Sequence, residues 1–274
     1  AILEGGRNFA NKIWNAYRFI MMNVEEIEGL PAKDELSLEL ADRWIISRLN
    51  EVSAEAREHY ENLRLNDAAQ CIFQFLWDEY CSWYIELAKD RLKPDTDLRS
   101  RLTAKYVLLD VMQAAMRLLH PIMPFISEEI WQSIRQIFPM EDEALIIASF
   151  PISDPALINP DIADEMAITQ ESITAIRNLR KQINLNPGTM VKIVVRTADA
   201  AQTGLFREYS TYFQRLARVE EITCGTDVEK PKPAISAVVR NIEIFLPLSG
   251  LLDPAVERER LQKQIDKLSK ELQG

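Results

Sequence analysis

A proline-rich stretch divides this sequence into two parts of different character. Residues 148–160, Ala-Ser-Phe-Pro-Ile-Ser-Asp-Pro-Ala-Leu-Ile-Asn-Pro, read as a linker, because three prolines in so short a run disfavour both helix and central strand. All five tryptophans (Trp14, Trp44, Trp77, Trp83, Trp131) and both histidines precede it. So does nearly all the long helical periodicity. The break predicts an all-helical unit over 1–150 and a separate mixed unit over 160–250.

In the first part, apolar residues recur at helical spacing in five segments. The first covers 4–23, with Phe9, Ile13, Trp14, Tyr17, Phe19 and Ile20 as candidate apolar positions, and Gly29-Leu30-Pro31 breaks the chain after it. The second covers 38–60 through Leu40, Trp44, Leu49, Val52 and Ala56. The third, capped by Asn66 or Asp67, carries a broad apolar face from Ala69 to Leu87. The fourth runs over 96–119 and stops before His120-Pro121, and the fifth is short, around 125–137. Long amphipathic helices with short connections make a helix bundle.

The second part mixes periods. A helix is expected over 161–184, a turn at Asn186-Pro187-Gly188, a strand over Met190–Arg196 and a helix over 203–217. Short strands follow near 219–224, 234–239 and 242–247. The fold class is therefore mainly α, a helical bundle followed by a small α/β domain. Asp253-Pro254 opens a last helix, whose Leu261, Ile265, Leu268 and Leu272 alternate by four, three and four, as a coiled-coil seam does. Residues 251–274 thus read as the beginning of a coiled coil whose returning helix is missing. The chain opens Ala1-Ile2-Leu3-Glu4 without Met, which reads as a processed or shortened chain.

A hydrophobic share of 47% is ample for packed cores, and no apolar run is long enough to span a bilayer. Three cysteines, Cys71, Cys81 and Cys224, show no ligand-like spacing and read as free buried thiols of a cytoplasmic protein. A net charge of −10 weighs against a nucleic-acid partner. That far field is screened within about 8 Å at physiological salt, so a local basic stripe can still hold phosphates.

No catalytic set is legible. His59 lies in a charged helix and His120 precedes Pro121, neither with an evident Ser, Cys or metal partner in sequence. Neither a glycine-rich phosphate loop nor a metal-ligand spacing occurs. Asp78-Glu79 and Glu128-Glu129 are adjacent carboxylates that point to different sides of a helix, which suits solvation or capping. Lys267-Leu268-Ser269-Lys270 looks like a nucleotide-binding lysine loop, but Leu268 sits on the seam and the lysines fall on the wet face.

The basic residues are more suggestive. Arg7, Asn11, Lys12, Asn15 and Arg18 recur at steps of three and four along one helix side, and are candidate RNA contacts. Arg177, Arg180 and Lys181 form a second candidate cluster, with Arg207, Arg215 and Arg218 nearby in the chain. A solvated helix face would show the same spacing.

Several segments resemble valyl-tRNA synthetases. Gly5-Gly6-Arg7-Asn8-Phe9-Ala10-Asn11-Lys12-Ile13-Trp14-Asn15-Ala16-Tyr17-Arg18-Phe19 resembles the start of that family's anticodon-binding bundle. Leu40-Ala41-Asp42-Arg43-Trp44-Ile45 and Trp77-Asp78-Glu79-Tyr80-Cys81-Ser82-Trp83-Tyr84-Ile85-Glu86 are similar to its following helices. Leu119-His120-Pro121-Ile122-Met123-Pro124-Phe125-Ile126-Ser127-Glu128-Glu129-Ile130-Trp131 is similar to a segment that the valyl, leucyl and isoleucyl enzymes share. Gly250-Leu251-Leu252-Asp253 with Glu257-Arg258-Glu259-Arg260-Leu261 resembles the entry to the valyl coiled-coil arm.

The resemblance implies a tRNA-binding C-terminal region that recognises tRNA(Val) and its anticodon. It implies that the catalytic domain of the same polypeptide is a partner, and that the protein is a cytoplasmic monomer. The parent enzyme would join L-valine to tRNA with ATP and magnesium. This chain lacks the H-I-G-H and K-M-S-K-S signatures and is expected to need no cofactor and to catalyse nothing alone. The alternative is a non-catalytic helical module that pairs with a protein through its coiled-coil end.

Overall fold

The computed structural model describes residues 2–24 and 29–251. The chain forms two compact units, Ala1–Met166 and Ala167–Gly274.

Helices dominate the first unit. Helix α1 (Ile2–Val24) buries Phe9, Ile13, Ala16, Ile20 and Val24, one face at steps of three and four. Helix α2 (Leu40–Glu61) buries Leu40, Trp44, Ile45, Val52 and Ala56. Helix α5 (Leu98–Leu119) starts at Asp97, whose carboxylate accepts from the Ser100 N–H at 2.9 Å, and α6 (Pro124–Arg135) starts on its own proline. Each large apolar side chain removed from water contributes about 1.5–3 kcal/mol.

Between α2 and α5 the expected single helix is three consecutive stretches. Helix α3 (Leu65–Gln74) widens into a π-helix over Phe75–Tyr84 and narrows again into α4 (Ile85–Ala88). The bonding pattern is visible at the end of the wide stretch, where the Ile85 N–H donates to the Tyr80 carbonyl five residues back. The sequence gives the reason. Ile72, Leu76, Tyr80, Tyr84 and Ala88 recur every fourth residue and are all buried. An α-helix would turn each of them about 40° away from the last. Wider π turns rotate them the opposite way, so the α–π–α succession keeps all five near one line.

Polar groups inside this unit are spent on architecture. Asp42 is fully buried and accepts from Arg91 Nη1 at 2.6 Å, the Tyr84 hydroxyl at 2.8 Å and the Glu39 N–H at 2.9 Å. Arg91 also donates from Nε to Ser100 Oγ at 2.9 Å and from Nη2 to the Ser100 carbonyl at 3.0 Å. The Tyr80 hydroxyl donates to the Leu108 carbonyl at 2.6 Å. This knot ties α2, the π-helix, the turn before α5 and α5 itself.

The proline-rich stretch is fastened along α2. Asn50 Oδ1 accepts from the Asp154 N–H at 2.8 Å, and Ser47 Oγ accepts from the Asn159 N–H at 2.9 Å. Phe150 meets Tyr60 edge-on at 5.7 Å between ring centres. The boundary between the two compact units falls at 166/167, within α7 (Pro160–Gln182).

The second unit carries a four-stranded sheet in the order β2-β1-β4-β3. Strand β1 (Val191–Arg196) alternates buried Val191, Ile193 and Val195 with more exposed residues. It pairs parallel with β2 (Val219–Gly225) and antiparallel with β4 (Ile242–Pro247), while β3 (Ala234–Val239) completes an antiparallel pair with β4. A parallel pair needs a long crossover. Here it is α8 (Ala200–Glu208) and α9 (Ser210–Ala217), the expected single helix interrupted at Tyr209. Phe206 and Phe213, one from each, stack at 4.9 Å between centres, fully buried. The proposed coiled-coil seam at Leu261–Leu272 lies outside the described residues.

Candidate nucleic-acid interface

The face of α1 opposite its core is a line of donors. Arg7, Asn11, Asn15 and Arg18 are all exposed, and none has a hydrogen bond or ion pair among the described residues. Trp14 stands in the same line. It counts among the apolar positions of this helix, yet it is 37% exposed and tilts against Tyr17 at 5.0 Å between ring centres. Arg7, Asn11, Trp14 and Arg18 are separated by four, three and four residues, so they fall along one edge, with Asn15 beside them. The core face of α1 needs only Phe9, Ile13, Ala16, Ile20 and Val24. Periodicity measured an apolar face wider than the core uses, and Trp14 is the surplus.

Lys12 is turned off this line. Its ammonium donates to Ser82 Oγ at 2.7 Å and lies 3.9 Å from the centre of the Trp77 ring. Desolvation lowers its pKa below the usual lysine value. Lys12 therefore fastens α1 to the π-helix by a hydrogen bond and a cation–π contact. Burial pushes the nearby Cys81 thiol up to about 12, far from a reactive thiolate.

The second unit gathers its cations in a different way. Arg177, Arg180 and Lys181 of α7 line one open cavity of about 570 Å³ together with Arg215 and Arg218 from the end of α9. Among the described residues, no carboxylate lines it. Arg207 does not reach it. Arg180 is buried and donates from Nη1 to the Thr189 carbonyl at 2.7 Å and from Nη2 to the Asn186 and Pro187 carbonyls, both at 3.2 Å. These bonds close the Asn186-Pro187-Gly188 turn. They satisfy the donors without supplying a negative charge, so the basin keeps its positive potential. Burial, and secondarily the charge of Arg218, hold the Arg180 pKa below its ordinary value. Arg177 Nε donates to the Leu216 carbonyl at 2.6 Å, and Lys181 is exposed.

Arg218 occupies the left-handed region, φ 56° and ψ 45°, just past the end of α9. That position favours glycine, and a side chain there costs about 1–2 kcal/mol. Strain of this kind often accompanies a functional position. In the sequence Arg215 and Arg218 stand only as chain neighbours of this cluster. An Arg at a predicted helix end where Gly is usual was the available signal.

Both histidines have partners that sequence distance hid. His120 Nδ1 lies 2.8 Å from Ser127 Oγ, whose hydroxyl donates to the Met123 carbonyl at 2.8 Å. Because Ser127 is fully buried and its proton is engaged, the pair locks the start of α6 and is no nucleophile. His59 Nε2 lies 3.5 Å from Glu55 Oε1, and the fold brings Cys71 beside both.

A family model described as the anticodon-binding domain of tRNA ligase matches residues 42–195. Among curated proteins, the chain is similar to a valine--tRNA ligase of Fusobacterium nucleatum, 38% identical over 275 residues, and to one of Geobacter sulfurreducens, 42% identical over 273. A valine--tRNA ligase of a Synechocystis species is 37% identical over 282 residues. Each match covers 99% of this chain and 30% or 31% of the relative's length.

Proposed function

This chain belongs to the family of anticodon-binding domains of tRNA ligases, and on that premise we propose that it is the tRNA-binding region of a valine--tRNA ligase, recognising tRNA(Val) at its anticodon. The observation that carries the reading is the outward face of α1. Anticodon bases are unstacked, and proteins read such bases by stacking on aromatic rings and by hydrogen bonds to their edges. Trp14 offers the ring, Asn11 and Asn15 offer amides that both donate and accept, and Arg7 and Arg18 hold the flanking phosphates. The basin of Arg177, Arg180, Lys181, Arg215 and Arg218 supplies a second set of phosphate contacts.

In this reading 1–150 is the anticodon-binding bundle, 160–250 the small α/β domain and 251–274 the start of a coiled-coil arm. The protein works as a monomer in the cytoplasm beside a catalytic domain of the same polypeptide. Attachment of L-valine with ATP and magnesium belongs to the whole ligase, and we assign no residue of this chain to it. The test is filter binding to tRNA carrying intact or altered valine anticodons at two salt concentrations. Wild-type chain should prefer the intact anticodon, Asn15→Ala should lose that preference, and Arg18→Ala should weaken all tRNAs with a shallower salt slope. Equal binding of every tRNA by wild type and both variants would reduce the α1 face to scaffold.

A further inference from the structure

One depression of the bundle collects a different chemistry. Glu55 and His59 of α2 and Cys71 of α3 bring a carboxylate oxygen, an imidazole nitrogen and a sulfur within 4.8 Å of one another. Asp67, one helical turn before Cys71, lines the same cavity of about 400 Å³. Steps of four put Glu55 and His59 on one side of α2, and Asp67 and Cys71 on one side of α3. The helices are joined by residues 62–64 alone, so the two pairs face each other across a short hairpin.

The cluster has bonding capacity that the protein does not use. His59 Nδ1 is buried without a hydrogen-bond partner among the described residues. Asp67 makes no hydrogen bond or ion pair among them. Arg48, the one Arg or Lys among the described residues that line the cavity, is held by Glu79 at 2.7 and 3.0 Å and also by Glu51. Burial, then the charges of Glu55 and Asp67, push the Cys71 thiol up to about 11. A thiolate alone is therefore disfavoured here, and a divalent cation reverses that balance.

We propose that Glu55, His59 and Cys71 form a binding site for a divalent metal ion of the zinc class, with Asp67 as the adjoining oxygen donor. A thiolate, an imidazole and a carboxylate in one set suit zinc and cobalt and do not suit magnesium or calcium. On binding, the Cys71 thiol gives its proton to solvent, its sulfur and a neutral imidazole nitrogen of His59 each donate an electron pair to the ion, and Glu55 binds as carboxylate. The ion clamps α2 to α3, and its binding free energy adds to the stability of the bundle.

The test uses the whole chain titrated with cobalt(II), followed by the near-ultraviolet charge-transfer absorption of a thiolate–cobalt bond and by displacement with zinc. The expected result is a saturable band for a single ion per chain, lost in Cys71→Ser and kept in Cys81→Ser and Cys224→Ser. Glu55→Gln changes an exposed side chain and should leave helix content intact while weakening cobalt binding roughly tenfold or more. If Cys71→Ser does not fold, Glu55→Gln decides, together with the rise in Tm that zinc gives the wild type and that this variant should largely lose. The proposal is overturned by a wild-type chain with no thiolate–cobalt band, by a band that survives Cys71→Ser, or by unchanged affinity in Glu55→Gln.

Discussion

The bundle and the α/β unit hold positive charge in opposite ways. On α1, Arg7 and Arg18 are exposed and have no partner among the described residues, while one buried cation of the bundle, Arg91, is paired with a buried carboxylate, Asp42. Among the described residues of the α/β unit the buried cation is Arg180, and its hydrogen bonds among them go to backbone carbonyls. The first arrangement neutralises the charge inside and leaves contact to a separate, solvated face. The second keeps a net positive charge at the wall of a cavity. One arginine is used up by the fold, and the other shapes the fold and still projects a field. Net charge, −10 for the chain, describes neither place.

Substitutions can break this comparison. The largest effect is expected for Arg91→Ala, which strands Asp42 as an uncompensated buried charge. Loss of one partner of such a pair costs about 3–5 kcal/mol. All five tryptophans lie in the first unit, so the urea midpoint followed by Trp fluorescence reads this loss directly. An unmoved midpoint would mean that Asp42 is not held as the geometry indicates.

Next comes Arg180→Ala. Leaving three turn carbonyls without their donor should cost about 1.5–3 kcal/mol. The far-ultraviolet transition should shift while the tryptophan transition stays in place. A shift of both by the same amount would show that the two units unfold together. Trp14→Ala comes third, and it acts on tRNA binding: loss of one stacked base costs roughly 1–3 kcal/mol, with little change in stability or salt slope. A large loss of stability instead would return Trp14 to the core. The smallest effect separates strain from binding. Arg218→Gly should raise stability by about 1 kcal/mol by relieving the left-handed conformation, and should lower tRNA affinity with a shallower salt dependence. Raised stability with unchanged affinity would leave the basin a matter of fold alone.

Much of this was legible beforehand for one physical reason. Residues of one helix keep fixed angles to each other, so the line Arg7, Asn11, Asn15 and Arg18 could be drawn from spacing alone. The same rule sets Lys12 about 100° from Asn11, to one side of that line. Spacing gives the width of an apolar or polar face, while the neighbouring element decides how much of it is covered. Trp77 and Ser82 of the π-helix are what meet Lys12 on its side of α1.

The sequence by itself determined the fold class, the helices and strands and their order, because hydrophobic period and turn residues act over a few neighbours. Tertiary structure decided everything that needs partners distant in the chain. Ser47 and Asn50 fasten a stretch that reads as a loose linker, since backbone N–H groups near a surface take whatever acceptors lie there. Arg215 and Arg218 join the α7 cations because the βαβ crossover returns the end of α9 to β1. His59 meets Cys71 because α2 and α3 pack side by side. Period fixes which residues share an element, whereas packing between elements fixes which charges, rings and sulfurs become neighbours.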